Sequence, residues 1–161
     1  MGRTVIFVDG EYLRKIFDKA GFRTDVPKVI AMVLKLSNTP ESDLLRVYYY
    51  TSPPYQASNP TEEEKKRYKA FQAFEKFLKQ QDNFEIKYGR TEKRGPEFEQ
   101  KMVDVLLSID LVELSSKSKI DTAILIAGDS DFVPAVRKAK DNAVRVLLFH
   151  SSERNEYHRE L

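Results

Sequence analysis

Hydrophobic and polar positions along this chain fall into blocks that switch between two periods. Residues 4–8 (Thr-Val-Ile-Phe-Val) are an unbroken apolar run, the pattern of a strand covered on both faces. Residues 11–20 then set Leu13, Ile16 and Phe17 at helical spacing, with Gly21 as the stop. Pro27 opens a second helical pattern with Val29, Ile30, Val33, Leu34 and Leu36 inward. Residues 44–50 are rich in strand-favouring side chains. A polar, proline-rich loop over 52–60 leads into a predicted helix over 61–80. There Thr61 caps, Glu62, Glu63 and Glu64 suit the positive helix end, and Tyr68, Phe71, Phe74, Phe77 and Leu78 mark the buried side. A short strand is predicted over 84–88 and a charged loop over 89–96. The helix over 98–116 is apolar around most of its circumference, so deep packing is expected. Strands over 120–127 and 144–149 enclose a helix over 132–141, and a polar tail follows His150.

Strands alternating with helices predict a three-layer α/β/α fold around a mainly parallel five-stranded sheet, Rossmann-like in plan. The expectation is one domain over 1–161, with 150–161 a short polar tail. In such folds ligands bind beyond the carboxyl ends of the strands, where strand order reverses. If the strands at 4–8 and 120–127 flank that point, the aspartates that follow them converge.

Composition narrows the chemistry. The 161 residues carry 27 basic and 25 acidic side chains, a net charge of +2, so any nucleic-acid contact has to be local. There is no cysteine, which excludes disulfides, thiolate zinc sites and cysteine nucleophiles. With two histidines, His150 and His158, histidine-rich metal sites and serine–histidine triads are poorly supported. No run reaches the ~18 apolar residues of a membrane span. The first strand begins at once, leaving no room for a signal peptide, and a cytoplasmic protein is expected.

The candidate chemistry is acidic. Asp9 ends the first strand, followed by Gly10, and Ala127-Gly128-Asp129-Ser130-Asp131-Phe132 follows the fourth. Asp-Gly is also a common turn pair, and Ser130 or Asp131 can cap the next helix. Asp104 interrupts an apolar helix, where an unpaired carboxylate is costly; Lys101, three residues earlier, is the simplest partner. Asp110 falls on another face and reads as structural or peripheral. Like charges at close range need a cation or a shared proton. Magnesium and manganese take oxygen ligands, so Asp9, Asp104, Asp129 and Asp131 suit either ion.

Three stretches carry a resemblance: Val8-Asp9-Gly10-Glu11, Lys101-Met102-Val103-Asp104 with the helix after it, and Ala127-Gly128-Asp129-Ser130-Asp131-Phe132-Val133-Pro134. In that order the chain resembles the NYN domain family of the PIN-like nucleases over nearly its whole length. The resemblance implies a three-layer fold, a Mg2+ or Mn2+ site on Asp9, Asp104, Asp129 and Asp131, and hydrolysis of RNA. The chain departs from the family at Tyr12, where asparagine is common, and at Met102, where glycine is usual.

Lys101, Ser130, Arg90, Lys93 and Arg94 are candidate substrate contacts. The basic and aromatic stretch 65–69 resembles a strand-binding surface too, but its lysines pair naturally with Glu62, Glu63 and Glu64. The leading expectation is a metal-dependent ribonuclease acting on single-stranded or structured RNA. The alternatives are a non-catalytic RNA- or protein-interaction module and a phosphatase-type phosphoryl-transfer enzyme. The stretch after Asp9 lacks the second aspartate of haloacid-dehalogenase-like phosphatases, and no Gly-rich nucleotide loop is present.

Overall fold

The computed structural model describes residues 2–128 and 130–151. In chain order the elements are β1 (Thr4–Asp9), α1 (Gly10–Ala20), α2 (Val26–Leu36), β2 (Leu44–Thr51), α3 (Glu62–Lys79), β3 (Phe84–Tyr88), β4 (Arg90–Arg94), β5 (Glu97–Lys101), α4 (Val103–Ser116), β6 (Thr122–Ile126), α5 (Val133–Asp141) and β7 (Arg145–Phe149). Short 3-10 turns at Glu41–Asp43 and Ser130–Phe132 precede β2 and α5.

The central sheet has the order β3-β2-β1-β6-β7, and every pairing in it is parallel. This is the expected three-layer architecture. Chain direction across the sheet reverses between β1 and β6. Right-handed crossovers therefore put α1, α2 and α3 on one face and α4 and α5 on the other. Side-chain alternation agrees with that division. Ile6, Val8, Val47, Tyr49, Ile124 and Ile126 pack with Leu13, Val29, Val33 and Leu78. Val5, Phe7, Tyr50, Ala123 and Leu125 pack with Leu107, Leu111, Val136 and Ala139.

Local chemistry starts the helices where the sequence marks them. Asp25 accepts from the Lys28 backbone N–H at 3.2 Å to open α2. Thr61 and Glu64 form a reciprocal capping box at the start of α3. Gly21 closes α1 in the left-handed conformation, φ 80°.

Three expectations are corrected. Residues 89–96 are not a free loop, nor do 98–101 begin a helix: β4 and β5 form an antiparallel hairpin turning at Gly95, φ 60°. Residues 97–101 carry one apolar side chain, so the helical apolar pattern begins only after them, at Met102. Second, α4 is not deeply packed on all sides. Val103, Leu107, Leu111 and Ser115 are buried at four-residue spacing, whereas Val105 and Ile109 are about half exposed, 55% and 54%. Sheet and α5 cover only part of its circumference. Third, Leu36 and Phe77 face solvent, because α2 and α3 each bury only a stripe. Among the described residues no helix is long and apolar enough to cross a membrane.

Candidate active site at the carboxyl edge of the sheet

Parallel strands end at one edge, where ligands of such folds bind, and the candidate residues are on elements that end or begin there. β1 ends on Asp9, in register with Tyr50 of β2, while Val8 is in register with Ile126 of β6. The chain passes from β3 through the hairpin into α4, which runs back across the sheet to β6. α4 therefore starts at the same edge, with Asp104 in its first turn. The 3-10 turn carrying Ser130 and Asp131 follows β6, and Asp131 is exposed. Asp129 and the side chain of Ser130 lie outside the described residues. Among the described residues, no three aspartate, glutamate or histidine side chains gather closely enough to hold a metal ion.

Asp9 is half-buried and caps α1, accepting from the Tyr12 backbone N–H at 3.3 Å. Gly10 is not a left-handed turn residue but the first residue of the helix. A β-carbon there would meet the Tyr49 ring at 2.6 Å and the Tyr50 carbonyl at 2.7 Å. Glycine thus lets α1 start hard against β2. The Tyr49 hydroxyl donates weakly to the Gly10 carbonyl, at 3.4 Å. Burial first, and then the charge of Asp9, holds that phenol's pKa above its ordinary range, so it stays neutral.

Asp104 is half-buried and makes no hydrogen bond or ion pair with the other described residues. The expected partner Lys101 closes β5 instead, and its Nζ donates to Glu99 Oε1 at 2.7 Å. The i−3 pairing fails because Met102 stands between them in the left-handed conformation, φ 76°, which breaks helical spacing. Asp110 does serve a structural tie. It accepts from the Tyr50 hydroxyl at 2.6 Å and lies 3.6 Å from Lys87 Nζ. Neither Ser130 nor Asp131 is the N-cap of α5; that residue is Phe132, which makes no side-chain cap.

The hairpin sorts its side chains by face. Cross-strand register pairs Thr91 with Gln100 and Lys93 with Phe98 on one face, and Arg90 with Lys101, Glu92 with Glu99 and Arg94 with Glu97 on the other. The second face is ionic: Arg90 pairs with Glu92 at 2.9 Å, and Arg94 with Glu99 at 3.2 Å. The first face borders a groove of about 500 Å³ between the hairpin, α3 and the start of α1. Its aromatic wall was not foreseen. The sequence places Phe98 at the start of a helix and Tyr55 in a polar loop, and no local pattern marks the two as neighbours.

A parallel sheet reversing between β1 and β6, with acidic residues on the elements at that edge, defines a three-layer α/β/α protein of the doubly wound kind. The NYN domain model matches residues 3–160, and the chain belongs to the NYN domain family, in the PIN-like nuclease group. Over 46 residues it is 41% identical to the uncharacterized protein MJ0482 of Methanocaldococcus jannaschii; that stretch is 29% of this chain and 19% of the archaeal protein. A crystal structure of VPA0982, a protein of unknown function from Vibrio parahaemolyticus, shares the fold with a TM-score of 0.55 and 18% identity. The superposition covers 91% of this chain and 80% of that one.

Proposed function

We propose that this chain is a metal-dependent ribonuclease. The observation that carries the reading is the NYN domain match across residues 3–160. The carboxylate chemistry of the sheet edge supports it. Asp9, Asp104, Asp129 and Asp131 offer oxygen donors alone, the set that Mg2+ or Mn2+ takes. In this proposal these four hold the cation, and Asp129 is the residue that completes the set. Asp9 can cap α1 through one oxygen and present the other. A divalent ion bound there supplies Lewis-acid stabilisation of phosphate charge and acidifies water for attack on phosphorus. Lys101 and Ser130 contact the substrate phosphate, and Lys93, Arg90 and Arg94 draw the strand along the hairpin. A cytoplasmic setting belongs to the same proposal.

A non-catalytic RNA-binding module is the second reading. Tyr12, standing where the family commonly has asparagine, has its hydroxyl committed to the Ser151 backbone N–H at 2.7 Å. Incubating purified protein with unstructured RNA, with and without Mg2+ or Mn2+, separates the two. The expected result is metal-dependent cleavage that EDTA stops and that an Asp129→Asn protein lacks. RNA that is bound but left intact by the wild type with either metal overturns the nuclease reading in favour of the module.

A further inference from the structure

The groove beside the hairpin contains an aromatic–cation arrangement that neither the fold nor the acidic edge requires. The rings of Tyr55 and Phe98 lie 5.6 Å apart and are tilted by 38°. The Arg67 guanidinium of α3 stands 6.0 Å over the Phe98 ring, and Lys93 Nζ stands 5.9 Å from the Tyr55 ring. Phe98 is 48% exposed, so much of its ring surface is open to a partner arriving from solvent. Phe71 and Phe74 continue the apolar wall along α3. Thr91, Gln100 and Ser52 supply polar groups, and the buried Ser52 hydroxyl has no hydrogen-bond partner among the described residues. The groove's other end is Gly10 and Glu11, the residues directly after Asp9.

Alternating rings and cations beside an amide side chain match an unpaired base with its phosphate. A base stacks on an exposed ring, a neighbouring cation meets the backbone, and an amide such as Gln100 bonds to a base edge. A duplex offers no free ring face to such a wall. Glu11, which lines the groove, lies 3.7 Å from Arg14 and 3.6 Å from Lys15, and Glu63 pairs with the lining residue Arg67 at 3.0 Å. Both carboxylates are already countered by those basic neighbours, so the rim does not repel a phosphate strand.

The geometry points to a base-stacking subsite formed by Tyr55, Phe98 and Arg67, which holds unpaired nucleotides of single-stranded RNA next to the acidic edge. This rests on the ribonuclease reading for the identity of the strand. Its consequence is a preference for single-stranded over duplex RNA that comes from the hairpin and α3, not from the aspartates.

The test measures binding of a short unstructured RNA, the same RNA with its central bases removed, and a duplex of equal length, all in EDTA. Wild type, Phe98→Ala and Phe98→Tyr proteins are compared, with circular dichroism checking the fold. Phe98→Ala is expected to weaken binding of the unstructured RNA roughly 5- to 150-fold, with the salt slope unchanged. Removing the bases should weaken wild-type binding by a similar factor and barely alter Phe98→Ala. Phe98→Tyr, which keeps a ring, should restore most of the affinity. Equal binding by wild type and a folded Phe98→Ala protein, with base-free RNA bound as well as intact RNA, overturns the subsite and leaves the ribonuclease reading standing. A wild-type protein that binds none of the three RNAs overturns the subsite, and the cleavage assay with Mg2+ or Mn2+ decides the ribonuclease reading separately.

Discussion

Tyr50, in the buried end of β2, donates a 2.6 Å hydrogen bond to Asp110, midway along α4. Lys87 of β3 approaches the same carboxylate at 3.6 Å. This contact crosses from the sheet to the helix that carries Asp104. Burial, and then the bond to Asp110, holds the Tyr50 phenol's pKa above its ordinary range, so it remains a donor. Tyr50→Phe removes that donor and leaves the carboxylate with Lys87 alone. The expected cost is about 1.5–3 kcal/mol, the range for a hydrogen bond to a charged group. Urea unfolding measures it, and an unchanged midpoint would show the bond to be energetically idle.

Asp104→Asn separates function from stability. Asp104 has no partner among the described residues and sits in the first turn of α4. The substitution keeps shape and removes the charge that a cation needs. Stability should move by no more than about 0.5 kcal/mol, while metal-dependent cleavage is lost. Full cleavage by the folded variant rejects Asp104 as a ligand.

Met102→Gly should stabilise the protein. Met102 adopts φ 76° and is 46% exposed, so its side chain returns only part of its packing for an unfavourable backbone conformation. That conformation costs a non-glycine residue roughly 1–2 kcal/mol, part of which glycine gives back in unfolded-state entropy. A net gain of about 0.5–1 kcal/mol in denaturant unfolding is expected. A loss would mean that the methionine side chain contributes packing to the start of α4.

The three hairpin cations should not behave alike. Arg90 and Arg94 are paired on the ionic face, whereas Lys93 lies on the face bordering the groove. Lys93→Ala should lower the salt slope of RNA binding by about 0.7, the value for one single-strand phosphate contact. Arg90→Ala and Arg94→Ala should each lower it by less. Affinity measured at several salt concentrations decides, and equal slopes for all three variants would place the strand across both faces.

Acid sensitivity has a named contributor. Arg3 donates to Asp121 through its backbone N–H at 2.9 Å and its guanidinium at 3.1 and 3.2 Å, joining the starts of β1 and β6. These bonds hold the Asp121 carboxyl below its usual range. The pair therefore contributes stability above the unfolded pKa of about 3.9 and loses it as pH falls through the lower folded value. Wild type should lose more stability than Asp121→Asn between about pH 5 and pH 3. Parallel pH profiles from chemical denaturation would remove the pair from the acid response.

The five strands of the central sheet were legible because their runs are short and rich in apolar, β-branched or aromatic side chains. The capping signals of Thr61 and Gly21 were legible because capping depends on residue type at one position. The hairpin was missed because its strands, Arg90–Arg94 and Glu97–Lys101, are almost wholly charged or polar and carry no apolar alternation. The full burial expected of α4 failed for a different reason. Apolar composition says nothing about how many neighbours the topology supplies, and Val105 and Ile109 are left half exposed. At the acidic edge, Asp9 and Asp104 were legible as strand-end and helix-borne carboxylates. The Lys101 pairing was not excluded from sequence, since nothing in residue identity reveals the positive φ of Met102.

β4 and β5 depart and return at one point. Arg90 faces Lys101, and a β-carbon on Gly89 would collide with the Lys101 carbonyl at 2.3 Å. The root is therefore pinned, while the tip at Gly95 meets nothing within 4 Å of an added β-carbon. Growth at the turn would extend the hairpin by about 3.4 Å for each residue added per strand, and additions of two per strand would keep the two faces sorted. None of that lengthening would displace the start of α4. Reach along a bound strand and placement of the acidic edge are thus separately adjustable, the one by insertion at a turn and the other by the fixed frame of the sheet.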